Sequence, residues 1–357
     1  MSALPRPPAR RAALSPRHWV SEALFDFWAS RVNPLWTQRR ARARLVGREG
    51  ASTDAVTLVL RPNRHFRGVA PGQHLMLGVE VDGRRLSRSY SPTVLEDGCL
   101  AITVKAVAGG RVSQHLVQHA RVGDVVELGQ AFGEMTLSAT PGTRVLLLAA
   151  GSGVTPMRAL VRQLDAAGMP VQVDLVYWAQ QRGALCFAEE FAAIAARYPG
   201  FRVHLALTRD PAAPTARVGE YDFSVLGDLS AAHAMVCGPG GFVDAARARL
   251  HGQVAVLQTE AFTPPVLPDS ETGTVQVELR RSGRTLELPR GTSLLQALEA
   301  EGLRPASGCR MGICNTCVCG KASGVTRHTL TGEYAAEPAT QVKLCVNSAS
   351  TDLILEL

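Results

Sequence analysis

The sequence predicts a multidomain protein of β and α/β units: an antiparallel β-barrel, a doubly wound parallel α/β domain, and a small cysteine-rich domain at the C-terminus. Three observations predict it. Between residues 41 and 140 short apolar strands alternate with turn residues such as Pro71-Gly72 and Asp97-Gly98. Between 141 and 262 buried apolar runs alternate with helical spacing, the signature of a parallel sheet covered by helices. After a proline-rich stretch at 263–272, four cysteines fall within eleven residues of the 273–357 segment. A chain of 357 residues with an apolar fraction of 46% is long and apolar enough for two or three cores.

Charge excludes one class of partner. Ten arginines against Glu22, Asp26 and Glu49 in the first fifty residues account for the whole formal charge of +7, so the remainder is balanced. A basic extension on a neutral body is not a nucleic-acid surface. No apolar run reaches the roughly eighteen residues of a spanning helix, and no secretory signal is evident, so a cytoplasmic location is expected.

Residues 1–40 form this basic extension. Residues 1–14 are rich in Pro, Ala and Arg and read as disordered. Ser15-Pro16 reads as a helix start, and Val20, Leu24, Phe27, Trp28 and Val32 recur at helical spacing until Asn33-Pro34. Trp19, Trp28 and Trp36 stand near Arg39, Arg40, Arg42 and Arg44, a composition suited to peripheral contact with an anionic membrane at its inner face. The alternative is that the helix packs on its own body.

In 41–140 the strands are expected at 55–60, 74–79, 100–104 and 125–128. Arg88-Ser89-Tyr90-Ser91 places a cation and an aromatic plate on one face of a strand. Gly109-Gly110-Arg111-Val112-Ser113 opens a short helix with free amides suited to a pyrophosphate. In 141–262, Val145–Ala150 is a buried strand, and Gly151-Ser152-Gly153-Val154-Thr155-Pro156 opens a helix running to Leu164. Further strands are expected at 171–176, 202–207 and 255–258, with a helix over 189–197, and Met235-Val236-Cys237-Gly238-Pro239-Gly240-Gly241-Phe242 precedes the last of them.

The cysteine loop reads Cys309-Arg310-Met311-Gly312-Ile313-Cys314-Asn315-Thr316-Cys317, with Cys345 downstream. The spacing C-x4-C-x2-C with a distant fourth cysteine is the plant-type [2Fe-2S] pattern, and Gly308 and Gly312 give the loop the freedom to wrap a cluster. Structural zinc favours two short pairs instead, and eight cysteines are too few for a disulfide scaffold. Cys319 is expected in a strand beyond the loop; Cys99, Cys186 and Cys237 default to small buried hydrophobes.

Taken together, these motifs resemble the ferredoxin-NADP reductase superfamily followed by a plant-type ferredoxin, in the order of phthalate dioxygenase reductase and the reductases of steroid hydroxylases and acyl-CoA desaturases. The resemblance implies a flavin-binding β-barrel, a nucleotide domain and a β-grasp ferredoxin domain with the two strands 274–279 and 284–288, a helix 293–301 and a last strand in 352–357. It implies FAD, a [2Fe-2S] cluster held by Cys309, Cys314, Cys317 and Cys345, and NADPH or NADH. Arg88 is then on the flavin phosphate, Tyr90 on the isoalloxazine, Ser91 near its N5, and Gly110, Arg111, Val112 and Ser113 on the pyrophosphate. Gly151, Gly153, Thr155 and Pro156 line the nucleotide, and Cys237 and Gly238 lie by the nicotinamide, with Tyr90, Ser91 and Cys237 at the chemistry. Glu260-Ala261-Phe262 stands at a terminus that approaches the flavin in related reductases.

Arg182 and Arg209 follow the strands where the adenosine should lie, and no acid follows Val176-Tyr177-Trp178 to hold a ribose hydroxyl, which favours NADPH. Each arginine could equally be a solvated loop charge. The expected partner is a terminal oxygenase or desaturase, membrane-bound on the reading of the N-terminal helix. The alternatives are a soluble Rieske ring-hydroxylating dioxygenase as acceptor, or a redox-sensing or zinc-binding module without turnover.

Overall fold

The structure is a computed structural model describing residues 22–137, 142–210, 215–262 and 272–357. The Pro- and Arg-rich start, the helix start at Ser15-Pro16, Trp19 and nearly all of the proline-rich linker lie outside the described residues. Helix α1 (Glu22–Val32) ends at Asn33-Pro34, as the loss of an amide donor at proline requires. Its one buried side chain among the described residues is Asp26, whereas Leu24, Phe25, Phe27, Trp28 and Val32 are 41–75% exposed.

The first sheet comprises β1 (Arg42–Ser52), β2 (Ala55–Pro62), β3 (Leu75–Val81), β4 (Arg84–Tyr90), β5 (Pro92–Val94), β6 (Leu100–Lys105) and β7 (Val125–Leu128), with α2 (Arg111–Gln118) between β6 and β7. Its order is β4-β3-β7-β1-β2-β6-β5, antiparallel throughout. Alternation points Leu58, Leu60, Leu75, Leu77, Ile102 and Val104 inward, and α2 closes that core with Val112 and Leu116. β1 is absent from the predicted strands because its apolar alternation is confined to the inward Ala43 and Leu45 and is interrupted at Gly47-Arg48-Glu49-Gly50.

The second sheet holds β8 (Arg144–Ala150), β9 (Gln172–Ala179), β10 (Phe201–Leu207), β11 (Ala232–Gly238) and β12 (Val256–Ala261), with α3 (Val154–Ala166), α4 (Ala188–Arg197) and α5 (Gly240–Leu250). The order β10-β9-β8-β11-β12 is wholly parallel. Met157, Leu160 and Phe191 cover one face from α3 and α4, and Val243, Ala246 and Leu250 cover the other from α5. Burial on both faces explains why β8 and β9 read as continuous apolar runs. The chain reverses its direction across the sheet between β8 and β11, which opens a crevice at their C-terminal ends.

The third unit is β13 (Thr274–Leu279), β14 (Arg284–Pro289), α6 (Leu294–Ala300), β15 (Val318–Ser323), β16 (Thr326–His328), β17 (Tyr334–Ala335), β18 (Thr340–Lys343), β19 (Asn347–Ala349) and β20 (Leu353–Leu355). The mixed order β14-β13-β20-β15-β18, with α6 packed on it through Leu294, Leu295 and Leu298, is the β-grasp arrangement. Cys319 lies in β15 as expected, and Cys99, Cys186 and Cys237 are buried.

One buried carboxylate braces the second sheet at the end away from its crevice. Asp174 of β9 is 1% exposed and accepts from Arg144 (2.6 Å), Arg202 (2.7 Å) and His204 (3.3 Å). Burial alone would raise its pKa, but these hydrogen bonds outweigh burial and hold it well below the carboxylate range. A depressed folded pKa contributes stability that is complete above the unfolded value of about 3.9 and is lost as the pH falls below it. Urea unfolding should therefore show Asp174→Ala destabilised by about 3–5 kcal/mol at neutral pH, since it strands Arg144, with the difference shrinking as the pH drops below about 4.

Candidate functional site

The C-terminal end of β4 places Arg88 and Tyr90 on one face, both half-buried. Arg88 donates to the Ser87 carbonyl (2.8 Å), and no carboxylate among the described residues pairs with it. Burial first, and the neighbouring Arg310 second, pull its pKa down. A partly desolvated guanidinium without a carboxylate suits a phosphate. Burial pushes the Tyr90 phenol up, so it stays a neutral plate.

Helix α2 begins at Gly110 with no side-chain cap and no acid in its first turn, so the amides of Arg111, Val112 and Ser113 remain available to an anion. Their side chains act differently. Arg111 pairs with Asp82 (3.0 Å) and Val112 enters the core. The Ser113 hydroxyl ties the loop, accepting from the Val107 amide (3.2 Å) and donating to the Gly110 carbonyl (3.1 Å).

Ser91 follows β4 and is 4% exposed. Its Oγ meets His74 Nδ1 at 2.6 Å, and His74 Nε2 bonds the Glu260 carboxylate of β12. His74, fully buried just before β3, joins Ser91 to Glu260 and is not singled out by the sequence reading. The available signal was Glu260-Ala261-Phe262 at a strand end, but nothing local connects it to a histidine 186 residues earlier.

At the crevice between β8 and β11, the two nucleotide motifs touch. A Cβ on Gly153 would lie 2.0 Å from the Cys237 carbonyl oxygen, so only glycine permits this approach. Helix α3 starts without a side-chain cap or acid in its first turn. Thr155 donates to the Ser152 carbonyl (3.0 Å), and Pro156 is buried in the first turn. Burial, then the adjacent Glu260, raise the pKa of Cys237, which is held as a neutral thiol beside Gly238. Arg182 and Arg209 are exposed beyond β9 and β10; Arg209 donates to the Gln180 side chain (3.3 Å).

The cysteines pair two and two. The Cys309 amide donates to Cys314 Sγ (3.2 Å) and the Cys314 amide to Cys309 Sγ (3.3 Å), while Cys317 and Cys345 Sγ atoms lie 3.1 Å apart. Hydrogen bonding from Cys309 lowers the pKa of Cys314, and hydrogen bonding from Cys345 lowers that of Cys317. Gly312 takes φ +77°, and Val346 Cγ2 would be 2.9 Å from a Cβ there. No group of three or more ligating side chains converges on a single ion among the described residues. Two pairs of thiols fit two irons, each with two thiolates, better than one tetrahedral zinc. Arg310 of this loop pairs bidentately with Glu299 (2.6 and 2.7 Å), and its charge is felt by Arg88 at the end of β4.

The chain matches the FAD-binding domain of oxidoreductases over residues 42–136, the oxidoreductase NAD-binding domain over 147–248 and the 2Fe-2S iron-sulfur cluster binding domain over 277–346. It is 33% identical over 345 residues to an NADPH oxidoreductase of Mycobacterium tuberculosis, covering 93% of this chain and 88% of that protein. The chain belongs to the ferredoxin-NADP reductase superfamily, in the branch with a C-terminal [2Fe-2S] ferredoxin domain. The reductase is also 33% identical over 285 residues to the ferredoxin reductase component of a 3-ketosteroid-9-alpha-monooxygenase from the same species, covering 74% of this chain and 77% of that one. Its fold aligns with phthalate dioxygenase reductase at a TM-score of 0.64 and 26% identity, over 88% of this chain and 97% of that one. It is an NAD(P)H-dependent flavin iron-sulfur oxidoreductase that takes FAD, NAD(P)H and a [2Fe-2S] cluster.

The pairing of sulfurs separates ligand from bystander. Cys345→Ala should abolish the visible and electron-paramagnetic signals of the cluster while FAD stays bound, whereas Cys319→Ala should retain both; equal loss in the two variants would refute the assignment of Cys345.

Proposed function

We propose that the reductase draws electrons from NADPH and passes them singly to a membrane-bound oxygen-activating enzyme, a fatty-acyl desaturase or hydroxylase. The observation that carries this reading is the orientation of α1. Its acid, Asp26, is seated on the body, accepting from the Gln38 amide (2.8 Å) and facing Arg40 (3.4 Å). The following segment is laced to the first sheet by Asn63, which donates to the Leu35 carbonyl (3.0 Å), and by Arg42, which donates to that of Pro34 (2.7 Å). The apolar face therefore points to solvent, with Trp36 beside it and Arg31 over Phe27 at 4.0 Å. Apolar side chains interleaved with arginines fit an anionic lipid surface. Among the described residues no helix is long and apolar enough to cross a membrane, so the contact is peripheral.

When bound, the nicotinamide supplies a hydride, the flavin divides its electron pair and the cluster carries one electron at a time. The chain's part is placement. Arg88 and the α2 amides hold the FAD phosphates, Tyr90 covers the ring, and Ser91 faces N5. Gly151, Gly153, Thr155 and Pro156 hold the ribose and pyrophosphate of NADPH, and the neutral Cys237 thiol and Gly238 floor the nicotinamide. Cys309, Cys314, Cys317 and Cys345 hold the cluster at the exit. The likeness to phthalate dioxygenase reductase favours a second reading, with a soluble Rieske dioxygenase as acceptor.

Cosedimentation decides between them. The full chain should bind phosphatidylglycerol-containing vesicles, and a Trp28→Glu, Val32→Glu double variant should bind at least roughly tenfold more weakly, given about 1.5–3 kcal/mol per buried large apolar side chain. Equal electron delivery to acceptor membranes by both proteins would rule out the membrane reading.

For the nucleotide, Arg182→Ala and Arg209→Ala should each lower kcat/KM for NADPH by roughly tenfold or more, the worth of a charge-assisted hydrogen bond, and leave that for NADH within about twofold. Parallel losses with both nucleotides would count against a 2′-phosphate site.

A further inference from the structure

The tip of the β1–β2 hairpin belongs to the first sheet but is built into the second unit. Ser52 pairs with Ala55 and closes a two-residue turn, Thr53-Asp54. Asp54 fixes that turn to its own sheet: its carboxylate accepts from Ser52 Oγ (3.0 Å) and pairs with Lys105 (3.0 Å), and its carbonyl accepts from the Ala106 amide (2.8 Å). Ala55, 3% exposed, lies in the core that β8, β9, α3 and α4 share, and Ala51 packs against that core. Thr53 then reaches across to the second unit. Its amide and its hydroxyl both donate to one acceptor, the Gly183 carbonyl, at 3.1 and 3.2 Å. Two donors from a fixed turn leave that carbonyl little freedom of position.

Gly183 stands in the connection from β9 to α4, and both arginines proposed above for the 2′-phosphate hang on that connection. Arg182 precedes Gly183 in a single 3-10 turn, Arg182–Ala184. Arg209 is tied in through Gln180, whose carbonyl accepts from the Arg209 amide (2.8 Å) and whose side-chain oxygen accepts from its guanidinium (3.3 Å). The Gln181 carbonyl accepts from the Ala184 amide (3.1 Å), so residues 180–184 form one short linked piece. We propose that Thr53, a residue of the flavin-side unit, is a positioning residue for nucleotide choice, holding the Gly183 turn so that Arg182 and Arg209 meet the 2′-phosphate of NADPH together. This rests on the 2′-phosphate assignment of those arginines. Both are exposed, and ordering a long side chain or its loop on binding weakens affinity; a turn already held loses less freedom. The contact also crosses between the two units, so the phosphate site is complete only with the hairpin seated on the nucleotide domain. Sterics give a handle on it. A Cβ on Gly183 would stand 3.1 Å from Thr53 Cγ2. The Thr53 methyl cannot swing aside without taking its hydroxyl off the carbonyl, because both branch from Cβ. Gly183→Ala therefore displaces the contact, and Thr53→Ser, which lacks the methyl but keeps both donors, makes room for it.

The test uses the full-chain holoenzyme of the wild type, Gly183→Ala, Thr53→Val, Thr53→Ser and the Gly183→Ala, Thr53→Ser double variant, beside Arg182→Ala and Arg209→Ala. Steady-state reduction of cytochrome c reads KM and kcat with NADPH and with NADH. Calorimetry with adenosine 2′,5′-bisphosphate and with adenosine 5′-monophosphate reads the phosphate site without turnover. Gly183→Ala and Thr53→Val should raise KM for NADPH and Kd for the bisphosphate about two- to tenfold, the range of one hydrogen bond, with kcat, KM for NADH, Kd for the monophosphate and FAD content within about twofold. The double variant should return to within about twofold of the wild type, as coupled neighbours do, and Thr53→Ser alone should match it. Equal losses with both nucleotides, loss of FAD, or no rescue in the double variant would mark a purely structural latch and overturn the positioning role. Unchanged NADPH preference in Gly183→Ala and Thr53→Val, with preference lost in either arginine variant, overturns that role while leaving the arginines at the phosphate. Unchanged preference in both arginine variants overturns the phosphate assignment and the positioning role with it. Should Gly183→Ala fail to fold, Thr53→Val carries the test.

Discussion

Across the seam between the antiparallel sheet and the parallel sheet, the His74 imidazole is held by Ser91 on one side and Glu260 on the other. A buried carboxylate is costly without partners, and a buried imidazole must satisfy two nitrogens, so each side of the seam needs the other. That requirement sets how β12 approaches the mouth of the first sheet. It also brings Cys237, Glu260's neighbour in the β11–β12 register, to the same place as the end of β4. The end of β4 and the end of β11 thus meet at this polar contact inside an apolar wall.

The cluster end follows the same economy of placement. Four thiols in two pairs, with amides donating to sulfur, prepare soft anionic ligands without a rigid element, since Arg310, Gly312 and Asn315 all take positive φ. Arg310 ties the loop to α6 through Glu299 and sets a second cation near Arg88.

Helix α1 departs from the usual packing of an amphipathic helix. Such a helix normally turns its apolar stripe to the body, but here Asp26 occupies that side and the stripe faces outward. Residues 33–40 are fastened by backbone-directed hydrogen bonds from Asn63, His65 and Arg42, so no apolar burial by α1 is required to hold it.

Much was legible in the sequence where the signal is local. The periodicity of Val145–Ala150 gave β8, the alternation in Thr274–Leu279 gave β13, and the spacing of Cys309, Cys314 and Cys317 pointed to two irons, because strand period and ligand spacing are written in neighbouring residues. β1 was hidden because its apolar alternation is confined to Ala43 and Leu45 and is interrupted at Gly47-Arg48-Glu49-Gly50. The sequence by itself determined the order of the three units and the residue types at each cofactor motif. Tertiary structure alone decided that His74 joins Ser91 to Glu260, that Gly153 meets the Cys237 carbonyl and that Asp26 turns α1 inside out. The physical reason is common to all three: each contact joins residues far apart in the chain, and such pairings leave no periodic trace along it.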